Sequence, residues 1–207
     1  MHITEYWGWN IDPRTRQKVK VGSGGTGTCI LADGGQAWIL TCKHVCPKPG
    51  EITVLFADGR SYSGTWLAAD SRTDLALIQI AASGVPVAPI ASRHPVAGDQ
   101  VIQAGYPGGN RRAQAGVVVG YQQGTPRGWQ DGTRVFLPGL SADSGDSGSG
   151  VILKTENALV GVIWAKTGEQ APYGPAAAEA VEWKDIKIFV DVAMPPRARF
   201  LLPWRRK

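Results

Sequence analysis

Three short stretches carry side chains suited to nucleophilic chemistry. The first is an apolar run from Trp38 that ends in Thr41, Cys42, Lys43 and His44. In the second, Asp70 to Ile78, Asp74 stands at the polar start of an apolar segment. The third is Gly145-Asp146-Ser147-Gly148-Ser149-Gly150, which leads directly into Val151, Ile152 and Leu153. A serine hydroxyl is a weak nucleophile at neutral pH and needs a base to take its proton as it attacks. An imidazole can do this, and a carboxylate on its second nitrogen fixes the tautomer. Glycines around Asp146 and Ser147 permit positive φ and a tight turn. Successive N–H groups in such a turn attract negative charge.

Each stretch also has a plainer reading. A Gly/Ser-rich run suits a flexible linker, although this one enters an apolar strand at once. A histidine beside a core is commonly structural, and an aspartate before a strand commonly closes a turn. Of His2, His44 and His94, only His44 follows an apolar strand.

The elements that would hold these residues read as β-strands. Short β-branched or alternating runs cover 19–22, 27–31, 37–41, 51–57, 62–68 and 75–81. A second set covers 100–106, 116–122, 133–137, 150–154, 158–165 and 176–181. Turn chemistry at Ala32–Gly35, Pro47–Gly50 and Ala57–Arg60 separates several of them. Six strands followed by six at this spacing predict an all-β fold. Residues 1–16 read as an extended arm that packs Trp7 and Trp9 on the body, and residues 85–99 as a linker. From Trp183 to Ala193 the pattern changes: Ile186, Phe189, Val190 and Ala193 share one helical face. Pro195 and Pro196 stop that helix.

Composition bounds the rest. The chain has 207 residues, 43% of them hydrophobic and 19% charged, enough for one domain or two closely packed halves. No stretch reaches the apolar length of a membrane span. The N-terminus lacks the basic start and apolar core of a secretory leader, so a cytoplasmic location is expected, or a secreted one after a removed leader. Five of the 22 basic residues (Arg197, Arg199, Arg205, Arg206 and Lys207) lie at the C-terminal end. The remaining 17 balance the 17 acidic ones. Nucleic-acid binding usually needs a basic face on the body, so it is not expected beyond a contact through the basic tail, 195–207. The odd count of Cys29, Cys42 and Cys46 favours reduced thiols, with a Cys29–Cys46 disulfide left open. Cys42 and Cys46 bracket His44, but no second ligand pair stands at zinc-site spacing, and no cofactor motif is visible. Neither a metal nor a cofactor is expected.

Taken in chain order, the strand ending in Thr41 and His44, the run Thr73-Asp74-Leu75-Ala76-Leu77-Ile78 and the glycine-flanked Ser147 resemble the chymotrypsin/trypsin-like serine peptidases. The order His, Asp, Ser is also theirs. The resemblance runs over most of residues 20–193. Gly25-Thr26-Gly27 before Ile30 and Leu31, the Gly105–Gly108 turn and the final helix look closest to the bacterial Deg-type members. It implies two packed six-stranded antiparallel β-barrels and a C-terminal α-helix. The N-terminal barrel (17–95) would carry His44 and Asp74, and the C-terminal barrel and helix (96–194) Ser147. It further implies a serine endopeptidase acting on protein or peptide substrates: His44 as general base, Asp74 as its orienting carboxylate, Ser147 as nucleophile, and the N–H groups of Gly145 and Ser147 as the oxyanion hole.

By the same resemblance Ser141 lies at the base of the primary pocket and Ile163, Trp164, Ala165 and Lys166 form its wall. The family's usual serine before that tryptophan is replaced here by Ile163. With no acidic residue at the base, uncharged, small-to-medium P1 side chains are expected. Asp146 would bind a newly cut N-terminus in the digestive members. Here it is expected to be exposed or held by local donors, with no activating cleavage. Two other readings stand beside this one: an inactive peptidase fold that binds peptides, and a viral or phage peptidase with a structural or nucleic-acid-contacting role.

Overall fold

A computed structural model describes residues 1–11, 16–123, 134–166 and 178–205. Thr133, Ala176, Arg206, Lys207 and the side chains of Trp7 and Trp9 lie outside the described residues.

Fourteen described strands form two antiparallel sheets, the walls of two β-barrels. The first holds β1 (His2–Ile11), β2 (Lys18–Thr26), β3 (Thr28–Asp33), β4 (Gln36–Cys42), β5 (Glu51–Leu55), β6 (Ser61–Asp70) and β7 (Leu75–Ala81), in the order β2-β1-β5-β6-β7-β4-β3. The second holds β8 (Gln100–Gly105), β9 (Arg112–Val117), β10 (Gly120–Gln123), β11 (Arg134–Leu137), β12 (Gly150–Leu153), β13 (Ala158–Lys166) and β14 (Ala178–Glu182), in the order β10-β11-β14-β13-β12-β8-β9. The all-β architecture with a terminal helix is therefore as expected, with one more strand in each sheet. The N-terminal arm is itself a strand, pairing with β2 on one side and β5 on the other. The run read as one strand over 116–122 is split between β9 and β10, with Gly120 at φ 138 at the break.

Burial explains the strand patterns. β8 alternates exposed and buried residues, as a strand with one solvated face should. In β4 every residue from Ala37 to Cys42 is buried, because its two faces meet the first barrel's interior and the second barrel. Ile3, Ile39, Leu40, Leu77 and Ile78 fill the first core, and Val101, Val151, Leu153 and Val160 the second. Leu159 and Val162 of β13 belong to the first core's cluster, so the barrels share an apolar seam.

The linker is pinned to the body rather than loose. Leu159 N donates to Pro89 O at 2.7 Å, and Ala91 N donates to Leu159 O at 2.9 Å. The helix α1 (Trp183–Ala193) buries Ile186, Phe189 and Val190, while Ala193 is half-buried. Residues 195–205, the described part of the basic tail, fold back on it. Ala198 and Leu202 are buried, and the Arg199 guanidinium donates to the carbonyls of Val192 and Met194. Those carbonyls have no partner inside the helix, so a cation there satisfies them and opposes the helix dipole. Arg205 pairs with Asp191 at 2.7 Å. Among the described residues no helix is long and apolar enough to cross a membrane.

Candidate active site

The β4–β7 ladder places His44 beside Asp74. Cys42, the last residue of β4, is registered against Leu75, the first of β7, so the residues just beyond each strand end lie next to one another. Lys43 N donates to Asp74 O at 2.7 Å. The Asp74 carboxylate then divides its oxygens: Oδ1 accepts from His44 N at 3.0 Å, and Oδ2 lies 2.6 Å from His44 Nδ1. Asp74 adopts φ 54, a conformation that Asp tolerates better than most residues and that clusters at functional sites. The ring is about half exposed while the carboxylate is mostly buried. Asp74 Oδ2 thus fixes Nδ1 as the donor and leaves Nε2 free to accept a proton.

Residues 143–149 form a tight turn before β12. Gly145 and Gly148 take φ 104 and φ 86. A Cβ at Gly145 would run into Tyr106 O, and one at Gly148 into Thr26 O, so both positions require glycine. Thr26, at the end of β2, sets the orientation of the peptide groups. Its N donates to Ser147 O at 2.8 Å and its hydroxyl to Gly145 O at 2.7 Å. Thr26 O in turn accepts from Thr41 Oγ1 at 2.7 Å. The N–H groups of Gly145 and Ser147 make no hydrogen bond among the described residues, an arrangement suited to a developing oxyanion.

Asp146 is fully buried. One carboxylate oxygen is ion-paired to Arg112 and accepts from Asp143 N at 3.0 Å, and the other accepts from Gln103 Nε2 at 3.1 Å. Of the two expectations for Asp146, local donors hold and exposure does not. Arg112 starts β9 and Gln103 lies on β8, so the donors come from the barrel wall. The cross-strand partner of Gln103 is Gln114, which extends the network: its amide donates to Gln103 Oε1 at 2.7 Å and to Ser141 O at 2.6 Å.

A cavity of about 130 Å³ opens beside Ser147, lined by Ala142, Asp143, Ser144, Ser147, Ile163, Ala165 and Lys166. It is smaller than the roughly 300–1,000 Å³ typical of drug-sized ligand sites. Ile163, Ala165 and Lys166 are among its lining residues. Ser141 and Trp164 do not line it. The Ser141 hydroxyl donates instead to Gln114 Oε1 at 3.0 Å. Trp164 falls at an irregularity in the β13–β14 pairing between Ile163 and Ala165 and packs against the first core.

Residues 25–162 match the profile of the trypsin-like peptidase domain. The chain belongs to that family. Its relatives include a probable periplasmic serine endoprotease, DegP-like, of Chlamydia pneumoniae, 36% identical over 109 residues that cover 52% of this chain and 20% of the relative. Serine endoprotease DegS of Escherichia coli is 31% identical over 107 residues, covering 51% of this chain and 29% of DegS. Among solved structures, the HtrA-type protease AlgW with a decapeptide superposes with a TM-score of 0.73 at 17% identity, over 93% of this chain and 64% of that one. The chain spans under a third of the length of these two curated relatives.

Within this trypsin-like peptidase domain, several contributing residues carried no sequence signal. Arg112, Gln103 and Gln114 are distant from Ser147 in the chain, and nothing in their local sequence marks them, while Thr26 stood out only within the Gly25–Gly27 run, with no role attached. Asp143 could have been flagged as an acid four residues before the serine. All three cysteines are free and buried, so no Cys29–Cys46 bridge is formed. Burial raises each thiol, that of Cys29 to about 11. Cys42 lies in the site itself, with its sulfur among the donor atoms of His44 and Asp74, all within 4.8 Å of one another.

Proposed function

We propose that this domain is a serine endopeptidase. Ser147 attacks the scissile carbonyl while His44 Nε2 takes its proton. Asp74 holds the ring and stabilises the imidazolium, and the N–H groups of Gly145 and Ser147 receive the oxyanion. The tetrahedral intermediate collapses to an acyl-enzyme as His44 returns the proton to the leaving amine, and water repeats the sequence to free the acid. The observation that carries this reading is the double hold of Asp74 on His44, which gives the imidazole one orientation and one tautomer. A histidine kept only for packing needs neither.

The substrate is proposed to be an extended peptide lying along the Ile163–Lys166 edge, as an added strand. The small cavity favours small, uncharged P1 side chains. Asp143 brings a negative charge to its lining, but Arg112 at 2.8 Å and Lys166 at 4.0 Å oppose that charge. Because the partly exposed Arg112 supplies a cation to the buried Asp146, the turn needs no newly cut N-terminus. The test is labelling with a fluorophosphonate probe. Reaction of the wild type that vanishes in Ser147→Ala supports the enzyme, and an unreactive folded wild type overturns it.

A further inference from the structure

The proposed acyl-transfer chemistry has no role for the thiol of Cys42, yet three segments of the site meet on it. Cys42 closes β4 two residues before His44, and it is completely buried. Its Sγ–H donates to Ile163 O at 3.2 Å, across the barrel boundary to the strand that walls the cavity. The same carbonyl accepts from Gly148 N at 2.7 Å, and Gly148 directly follows Ser147. On the other side stands Asp74. Burial, and secondarily the negative charge of Asp74, hold the thiol well above its ordinary pKa, so it stays a donor.

We propose that Cys42 is a positioning residue whose thiol fastens the His44–Asp74 end of the first barrel to the Ile163 strand and the Ser147 turn of the second. The inference rests on the peptidase reading above. Its physical basis is the divided origin of the site: His44 and Asp74 come from the first barrel, Ser147 and Ile163 from the second. Their registration depends on bonds that cross between the barrels. Thr41 supplies one such link through Thr26, and the next residue, Cys42, supplies a direct one. A buried carbonyl has two lone pairs, and without the thiol Ile163 O keeps only the Gly148 donor.

A cysteine that merely fills space would be replaced without kinetic effect by valine, which is similar in size but has no donor. Serine keeps a donor and loses bulk. The experiment compares wild type with Cys42→Val, Cys42→Ala and Cys42→Ser, following fluorophosphonate labelling rate, kcat and KM on a peptide substrate, with thermal melts to establish folding. Loss of one buried donor to the machinery should lower labelling rate and kcat about tenfold in Cys42→Val and Cys42→Ala, with KM held within about twofold. Cys42→Ser should recover to within about threefold of wild type. Should Cys42→Val not fold, Cys42→Ala against Cys42→Ser decides, because both remove the sulfur and only one keeps a donor. Wild-type rates in the donorless variants, or serine failing as they do, would overturn the inference alone. No labelling of the wild type overturns the peptidase reading and this inference with it.

Discussion

Asp74 holds His44 at two points, its Oδ1 on the backbone N–H at 3.0 Å and its Oδ2 against Nδ1 at 2.6 Å. One bond positions the loop and the other the ring. Asp74→Asn therefore has two consequences. An amide that still accepts from His44 N presents NH₂ to Nδ1, which inverts the tautomer and places the ring proton on Nε2, the atom proposed to take the Ser147 proton. We expect kcat to fall about 10⁴-fold with little loss of fold. Steady-state kinetics alongside a melting curve measures both.

Arg112 and Asp146 offer a test of the nucleophile turn. Arg112→Gln leaves a fully buried carboxylate without its cation, which typically costs about 3–5 kcal/mol. The expected outcome is a lower melting temperature together with slower labelling of Ser147. Asp146→Asn in the same chain should recover part of the stability, and the double-mutant cycle gives the coupling. Equal melting temperatures for wild type and Arg112→Gln would show that the pair is dispensable.

The cavity beside Ser147 predicts selectivity. Profiling a peptide library should show cleavage after small uncharged residues, with Lys and Arg disfavoured at P1. Ala165→Phe, which fills the cavity, should lower kcat/KM for the preferred peptides by at least about tenfold, while leaving reaction with a small fluorophosphonate nearly unchanged. A trypsin-like profile from the wild type would refute the assignment of this cavity to P1.

Glu5 predicts a pH dependence of stability. Its side chain is fully buried on β1 and both carboxylate oxygens lack a hydrogen-bond partner among the described residues. Burial pushes it up to about 7 against an ordinary 4.5, with Lys48 opposing the shift. A carboxyl raised in the folded state favours folding while protonated, so its contribution is complete below about 4.5 and is lost as pH rises to about 7. Urea midpoints measured across that window should fall less with pH in Glu5→Gln than in wild type. Parallel curves would dismiss the effect.

The sequence by itself determined most of the elements and nominated the candidate reacting groups. Short β-branched or alternating runs located most of the strands within a few residues, and the apolar face of Ile186, Phe189 and Val190 located the helix from Trp183 to Ala193. Local patterns suffice there because each side chain's burial follows from its own position in a strand or helix. His44, Asp74 and Ser147 were legible because their types, spacing and order are local signals too. Tertiary structure alone decided how they are supported. Arg112 neutralises Asp146 across 34 residues of chain and Thr26 reaches Gly145 across 119, and such pairings depend on how the barrels meet. Ser141, which the family resemblance put at the pocket base, donates its hydroxyl to Gln114 of β9, a bond no local pattern announces. A hydrogen bond is short and directional, so sequence can nominate its partners only after packing has brought them together.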